Sequence, residues 1–199
     1  MKAPILFTVI LLVVTLSAER CYPGEGQVSE KEDMTLVLFD FVDSSETERW
    51  LIVNDNVMGG VSNGEASRAE DSCLRFSGSI SLENNGGFAS IRSQPTDFGL
   101  GDYHGIRIRV MGDGRTYQFR LRTDRNLDGI AFRQEFETID NEWVEAELPF
   151  ASFLPTFRGR ILTDVEPLDP ADIKQLGFLL ADKRAGAFKL TVDRIVAYK

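Results

Sequence analysis

From residue 35 onward the apolar positions recur with a period of two, the pattern of strands that bury one face. Leu36, Leu38 and Phe39-Asp-Phe41 read as a first strand. Cys73-Leu-Arg-Phe76 and Ser77 to Leu82 read as strand and turn, and Phe88 to Arg92 as the next strand. Ile106, Ile108 and Val110 alternate with Arg107 and Arg109, while Tyr117, Phe119 and Leu121 alternate with Gln118, Arg120 and Arg122. The turn Gly112-Asp-Gly-Arg115 between these two runs predicts a hairpin. Further strands are expected over Ile130 to Glu137, Trp143 to Leu148, Phe178 to Ala181 and Phe188 to Ala197. Asn84-Asn-Gly-Gly87 is a turn signal, because Asn and Gly tolerate left-handed backbone. Phe153 to Arg160 reads as an ordered loop, and Asp169-Pro-Ala-Asp172 as the capped start of a helix of a turn or two. The expected fold class is therefore all-β: a jelly-roll β-sandwich with one short helix.

One stretch breaks the alternation. In Trp50 to Gly64 an Asn-Asp-Asn cluster is followed by Met-Gly-Gly and Ser-Asn-Gly, which no helix accommodates. A structured loop follows, with Asn54, Asp55, Met58, Gly59, Gly60 and Ser62 as its motif residues. Asn54 and Asp55 can bond local N–H groups while Met58 plugs the end of the sandwich. The alternative is calcium held by Asp55 and nearby carbonyls, but the spacing is not that of an EF-hand. Structural scaffolding is the favoured reading, and no metal is expected.

The ends and the charge narrow the function. Lys2, an apolar run from Ile5 to Leu16 and small Ser17-Ala18 form a secretory signal pattern. The run is short of the ~20 residues that a membrane-spanning helix needs. The expected organisation is a signal peptide over 1–18, a flexible leader over 19–34 and one sandwich domain over 35–199, in an exported chain. An uncleaved N-terminal anchor is the alternative. A net charge of -9 argues against nucleic acid and against anionic lipid as partners. With only Cys21 and Cys73, a disulfide is not the favoured reading, and without a CxxC or a Cys/His cluster a zinc site is nearly excluded.

If the two alternating runs form a hairpin, Arg107, Arg109, Gln118, Arg120 and Arg122 share its outer face, a positive island on an acidic protein. Arg133 and Glu135 join them if Ile130 to Glu137 is the neighbouring strand. Arginine suits planar hydrogen bonding to carboxylates, carbonyls and sugar hydroxyls. The competing reading is a solvated face laced by cross-strand Arg–Glu pairs. Gln134, between Phe132 and Phe136, is an odd polar position: a buried amide or a ligand contact. Trp50 and Trp143 are expected in the core. The lone His104 sits in a turn without a nucleophile motif, and no phosphate-cradling loop appears, so no enzyme and no cofactor are expected.

Several segments resemble one family. They are Asn54-Asp-Asn-Val-Met-Gly-Gly-Val-Ser62, Phe76-Ser-Gly78, Asn84-Asn-Gly-Gly-Phe-Ala-Ser-Ile-Arg92, Gly112-Asp-Gly-Arg-Thr-Tyr117, Trp143 with Leu148-Pro-Phe150, and Phe157-Arg-Gly159. Ile173 to Leu179, Gly186-Ala-Phe188 and Ile195 to Tyr198 also fit. Together they are similar to the complex I intermediate-associated protein 30 family and cover nearly everything from about residue 36 to the end. The resemblance implies a galactose-binding-like jelly roll and a non-enzymatic, chaperone-like assembly factor for NADH:ubiquinone oxidoreductase. The same fold group includes carbohydrate-binding modules, which often use the concave sheet. The partner is therefore expected to be a protein, including subunits of a membrane complex, with a glycan bound by an exported carbohydrate-binding module as the alternative.

Overall fold

A computed structural model describes residues 34–69, 71–124 and 129–199, except the side chains of residues 57 and 58. The expected signal peptide, nearly all of the leader and Cys21 lie outside the described residues, as does the side chain of Met58. In chain order the elements are β1 (Thr35–Phe39), α1 (Ser44–Glu48), β2 (Trp50–Asn54), β3 (Asn63–Arg68), β4 (Leu74–Ile80), β5 (Ala89–Ser93) and β6 (Gly105–Met111). They continue with β7 (Thr116–Arg122), β8 (Ala131–Glu137), β9 (Trp143–Pro149), β10 (Leu154–Phe157), β11 (Arg160–Ile161), β12 (Gln175–Leu180) and β13 (Gly186–Tyr198). They build two antiparallel sheets, as the alternation implies. One has six strands in the order β3-β4-β13-β6-β9 with β1 also on β13; the other has seven, β11-β10-β8-β7-β12-β5-β2. The long β13 serves both β4, along its first half, and β1, along its last residues.

The core lies between the sheets. Phe119 and Phe178 stand on adjacent strands with ring centroids 5.1 Å apart, and Trp50 stacks on Phe178 at 5.7 Å. Phe76 meets Phe188 edge-on at 4.8 Å in the other sheet. Each large side chain fully buried this way contributes about 1.5–3 kcal/mol. Two elements escape a reading by period. The α-helix is at Ser44–Glu48, capped by Asp43 accepting from Ser45 N–H, whereas the expected helix after Asp169 is a single 3-10 turn with the cap in place. The expected loop at 153–160 contributes β10 and β11, the edge of the seven-stranded sheet.

The expected hairpin does not form. β6 pairs with β13 and β9, β7 with β12 and β8, so the two runs belong to different sheets. Alternation shows which face is buried; it does not show which strand lies alongside. The connecting turn is drawn over the end of the sandwich instead. Arg115 is buried and grips Asp182 with Nε and Nη2, at 2.9 and 2.5 Å, and also donates to the carbonyls of Ala187 and Arg184. Asp113 accepts from the Tyr117 hydroxyl at 3.0 Å and from the Lys189 N–H at 2.9 Å. A Cβ on Gly112 would fall 2.4 Å from Thr138 Oγ1, so the arch closes only with glycine there.

The Asn54 to Ser62 loop is held by one carboxylate. Asp55 is fully buried, and four donors converge on it: Ser62 N–H at 3.0 Å, Ser62 hydroxyl at 2.6 Å, Gly87 N–H at 2.7 Å and Phe88 N–H at 3.3 Å. Burial alone would raise its pKa. The Ser62 hydroxyl and the N–H groups of Gly87, Phe88 and Ser62 outweigh that and hold the carboxyl below the ordinary value. N–H and O–H donors are the wrong polarity for a cation, so the calcium alternative gives way to scaffolding. The glycines follow from the same contact: a Cβ on Gly60 would sit 2.3 Å from Asp55 Cγ, and one on Gly86 2.5 Å from Asp55 Oδ2.

These contacts set three expected outcomes, each read by urea unfolding. Gly60→Ala should cost about 1–3 kcal/mol by overpacking against Asp55. Asp55→Asn should cost about 2–4 kcal/mol at neutral pH, since charged hydrogen bonds to buried donors are lost. Its folded pKa lies below the unfolded value of about 3.9, so that contribution is complete above this value and fades as pH falls through the folded pKa. The gap between wild type and Asp55→Asn should therefore narrow below pH ~4; a gap constant down to pH ~2 would place the stabilisation elsewhere. Arg115→Ala, which strands Asp182, should cost about 3–5 kcal/mol, and adding Asp182→Ala should restore part of it.

Candidate functional site

Because the two alternating runs lie in opposite sheets, the candidate residues divide. Arg107 and Arg109 stand on the outer face of the six-stranded sheet, where each meets an acid. Arg107 pairs with Glu147 at 2.7 Å and Arg109 with Asp193 at 2.9 Å, while Arg194 pairs with Glu145 at 2.7 Å. Arg109 also lies 4.5 Å over the ring of Trp143, which is on this outer face and 38% exposed rather than in the core. Trp50 is in the core as expected. The solvated face laced by cross-strand pairs is thus the right description of this sheet, and the single island of four arginines is not formed.

The outer face of the seven-stranded sheet is different. Leu51 of β2, Arg92 of β5, Gly177 of β12, Arg120 of β7, Arg133 of β8 and Leu154 of β10 are successive cross-strand partners, so their positions form one row. Arg122 and Gln175 are paired in a flanking row, and Gln118 with Leu179 in another. β8 is the neighbour of β7, so Arg133 and Glu135 do join this face, as the alternation suggested. Arg133 reaches Glu135 at 2.8 Å, and Gln118 donates to the same carboxylate at 3.3 Å. Arg122 is buried with its Nη1 on the Gly129 carbonyl at 2.5 Å.

Arg120 is the exception. Its Nε is buried without a partner, and no hydrogen bond or ion pair engages its guanidinium among the described residues. Burial first, then the charges of Arg122, Arg92 and Arg133, pull its pKa down to about 10, so it remains a cation at neutral pH. A small pocket opens at this point, lined by Ser90, Arg92, Arg120, Arg122, Gln175 and the bare backbone of Gly177. Gln175 donates to the Ser93 carbonyl at 3.2 Å, while its Oε1 is buried and also lacks a partner among the described residues. Taken by strand register, none of the residues on this outer face is aromatic.

Gln134 faces inward, opposite Phe119, and its Oε1 is buried without a partner among the described residues, so it belongs to the core side and not to this pocket. His104 takes part through its backbone, donating to the Tyr198 carbonyl at 2.8 Å and accepting from Phe150 N–H at 2.9 Å. Cys73 is buried as a free thiol. Sequence reasoning missed Arg92, Gln175 and Gly177. Their signal was present: a Gln and a Gly two apart in an otherwise apolar Gln175–Leu180, and an Arg closing the strand after Asn84-Asn-Gly-Gly87.

The chain compares with known proteins as follows. The family model for complex I intermediate-associated protein 30 (CIA30) matches residues 39–192. The mouse mitochondrial complex I intermediate-associated protein 30 is 25% identical over 182 residues, covering 80% of this chain and 55% of the mouse protein. The Neurospora crassa protein of the same name is 26% identical over 63% of this chain and 51% of its own length. The chain thus spans about half the length of these curated relatives. Among solved structures, a family 11 carbohydrate-binding module from Clostridium thermocellum, in complex with a β-1,3-1,4-mixed-linked tetrasaccharide, superposes with a TM-score of 0.62 at 17% identity. It covers 82% of this chain and 94% of the module, a likeness of fold alone. The relatives overturn the expectation of export, since the mouse, Neurospora and Drosophila proteins are all named as mitochondrial. With the model matched over residues 39–192, from the last residue of β1 into β13, the chain belongs to the complex I intermediate-associated protein 30 family.

Proposed function

We propose that this chain is a non-enzymatic, chaperone-like assembly factor for mitochondrial NADH:ubiquinone oxidoreductase, and that it holds a protein partner on the outer face of its seven-stranded sheet. The observation that carries the reading is that face: a partly buried arginine, uncompensated among the described residues, within a row of positive side chains, on a sandwich whose family relatives are named for complex I intermediates. A cation left without an acid is costly to keep and is repaid when a partner supplies one. Arg120 and Arg122, with Gln118 beside them, are the working residues of this reading, joined by Arg92 and Arg133. Arg107 and Arg109 already have their acids.

A glycan is the weaker occupant. Sugar rings bind by laying their C–H faces on aromatic planes as well as by hydrogen bonds, and this face presents none. The exposed Trp143 is on the opposite sheet beneath Arg109.

The test is made in the source cell. Removing the chain should lower mature complex I on native gels and leave subassemblies behind, and wild type should restore it. Arg120→Ala with Arg133→Ala should fold yet fail to restore assembly, whereas Arg107→Ala should restore it. Unchanged complex I after removal sinks the assembly role. Restoration by the Arg120, Arg133 variant takes the partner off this face.

A further inference from the structure

Beyond partner binding in general, the geometry points to a carboxylate site: we infer that the pocket over Gly177 takes an acidic side chain of an extended partner segment, gripped between Arg92 and Arg120. The inference rests on the partner-binding reading above and names its chemistry.

Three features converge on it. The first is the gap. Arg92 and Arg120 flank Gly177 on the two neighbouring strands, so their backbones stand roughly 10 Å apart with no side chain between them. A Cβ on Gly177 would fall 2.8 Å from the Ile91 carbonyl oxygen, so the floor of the gap stays open backbone. A planar group entering from outside can meet both guanidinium forks.

The second is the chemistry of the lining. Arg120 supplies N–H donors that nothing engages among the described residues, and Gln175 Oε1 supplies a buried acceptor beside them. Carboxylate oxygens satisfy the first, and a backbone N–H next to the acid satisfies the second. A fully deprotonated anion such as sulfate brings the oxygens without that donor.

The third is the strip in which the pocket sits. Its row reads Leu51, Arg92, Gly177, Arg120, Arg133, Leu154, apolar at both ends and positive in the middle, with the leucines 39% and 48% exposed. Six strands span about 24 Å, the length of about seven residues of extended chain. A segment with acids at its centre and apolar residues at its ends matches it position by position. Against an overall charge of -9, an acidic segment needs a local positive strip such as this one to land on.

The test uses the purified full chain and a labelled seven-residue peptide with leucine at each end and three glutamates at its centre, followed by fluorescence anisotropy at about 50 mM salt. Its counterpart with glutamine in place of glutamate is the control. The glutamate peptide should bind, and the glutamine peptide should bind about tenfold more weakly or worse. Arg120→Gln should lose binding to a similar degree without lowering the melting temperature, because a charge with no partner among the described residues has been removed. Arg109→Gln, on the other sheet, should leave binding unchanged.

Equal binding of both peptides overturns the inference, as does equal binding by Arg120→Gln or no binding by wild type. Full displacement of the glutamate peptide by millimolar inorganic phosphate assigns the pocket to a phosphate group and overturns it too. The two proposals fail separately. Peptide binding with complex I unaffected by removal of the chain keeps the pocket and ends the assembly role; the reverse result does the opposite.

Discussion

The carboxylate of Asp55 ties together two parts of the chain, its own loop and the turn before β5. It draws in Ser62 from the end of its own loop and the N–H groups of Gly87 and Phe88 from the turn before β5. β2 leads into that loop and β5 leads out of that turn, and the two strands pair along Trp50 to Asn54. The loop must then return to start β3 in the opposite sheet. A buried charge is tolerated only where its oxygens are met, and here four donors do so. Side chains at 60 and 86 would occupy the space of the carboxylate itself. The composition that looked unusual in sequence, amides and acid next to paired glycines, is the composition of a buried carboxylate and its cradle.

At the same end of the sandwich Arg115 and Asp113 play the corresponding part with the charges reversed in role. There a buried guanidinium binds Asp182 and two carbonyls, and an aspartate gathers the Tyr117 hydroxyl and the Lys189 N–H. Burial and the nearby Asp113 push the Tyr117 hydroxyl well above the usual phenol range, so it remains a donor throughout. Both devices carry the chain from one sheet to the other, which is what a sandwich needs and a single sheet does not. The polar groups at these crossings satisfy one another, and the aromatic core between the sheets is left free of charge.

Much of this was legible in the sequence, and the limits were physical. Period-two alternation found the strands, their inward faces and the sandwich, because burial of alternate residues is a local property. It joined β6 to β7 wrongly, since inward residues alternate in the same way whether the next strand lies alongside or across the core. Arg107 and Arg120 therefore looked like neighbours although they face opposite solvents. Trp143 was placed in the core on hydrophobicity, but its position in β9 is one of outward residues, Trp143, Glu145 and Glu147. The α-helix at 44–48 is too short to show a period, and only its Asp43 cap could have signalled it. The secretory reading of the first residues rested on a local pattern of charge and hydrophobicity, which relatives named as mitochondrial overrule.

The resemblance and the candidate site overlap only in part: Arg92, Gln175 and Gly177 lie in the matching segments, whereas Arg120 and Arg133 do not. Asp55, Gly60, Gly86, Gly112, Asp113 and Arg115 sit in the motifs that carry the resemblance, and the structure uses each of them to close a loop or a crossing. Arg120 and Arg133 lie outside those motifs and do nothing of the kind. Arg120 has no partner among the described residues and is crowded by like charges, so the fold is held in spite of it. A residue that costs stability and closes nothing is best explained by what meets it from outside. The motifs therefore account for the sandwich, and the proposed partner chemistry rests on Arg120 and the row in which it stands.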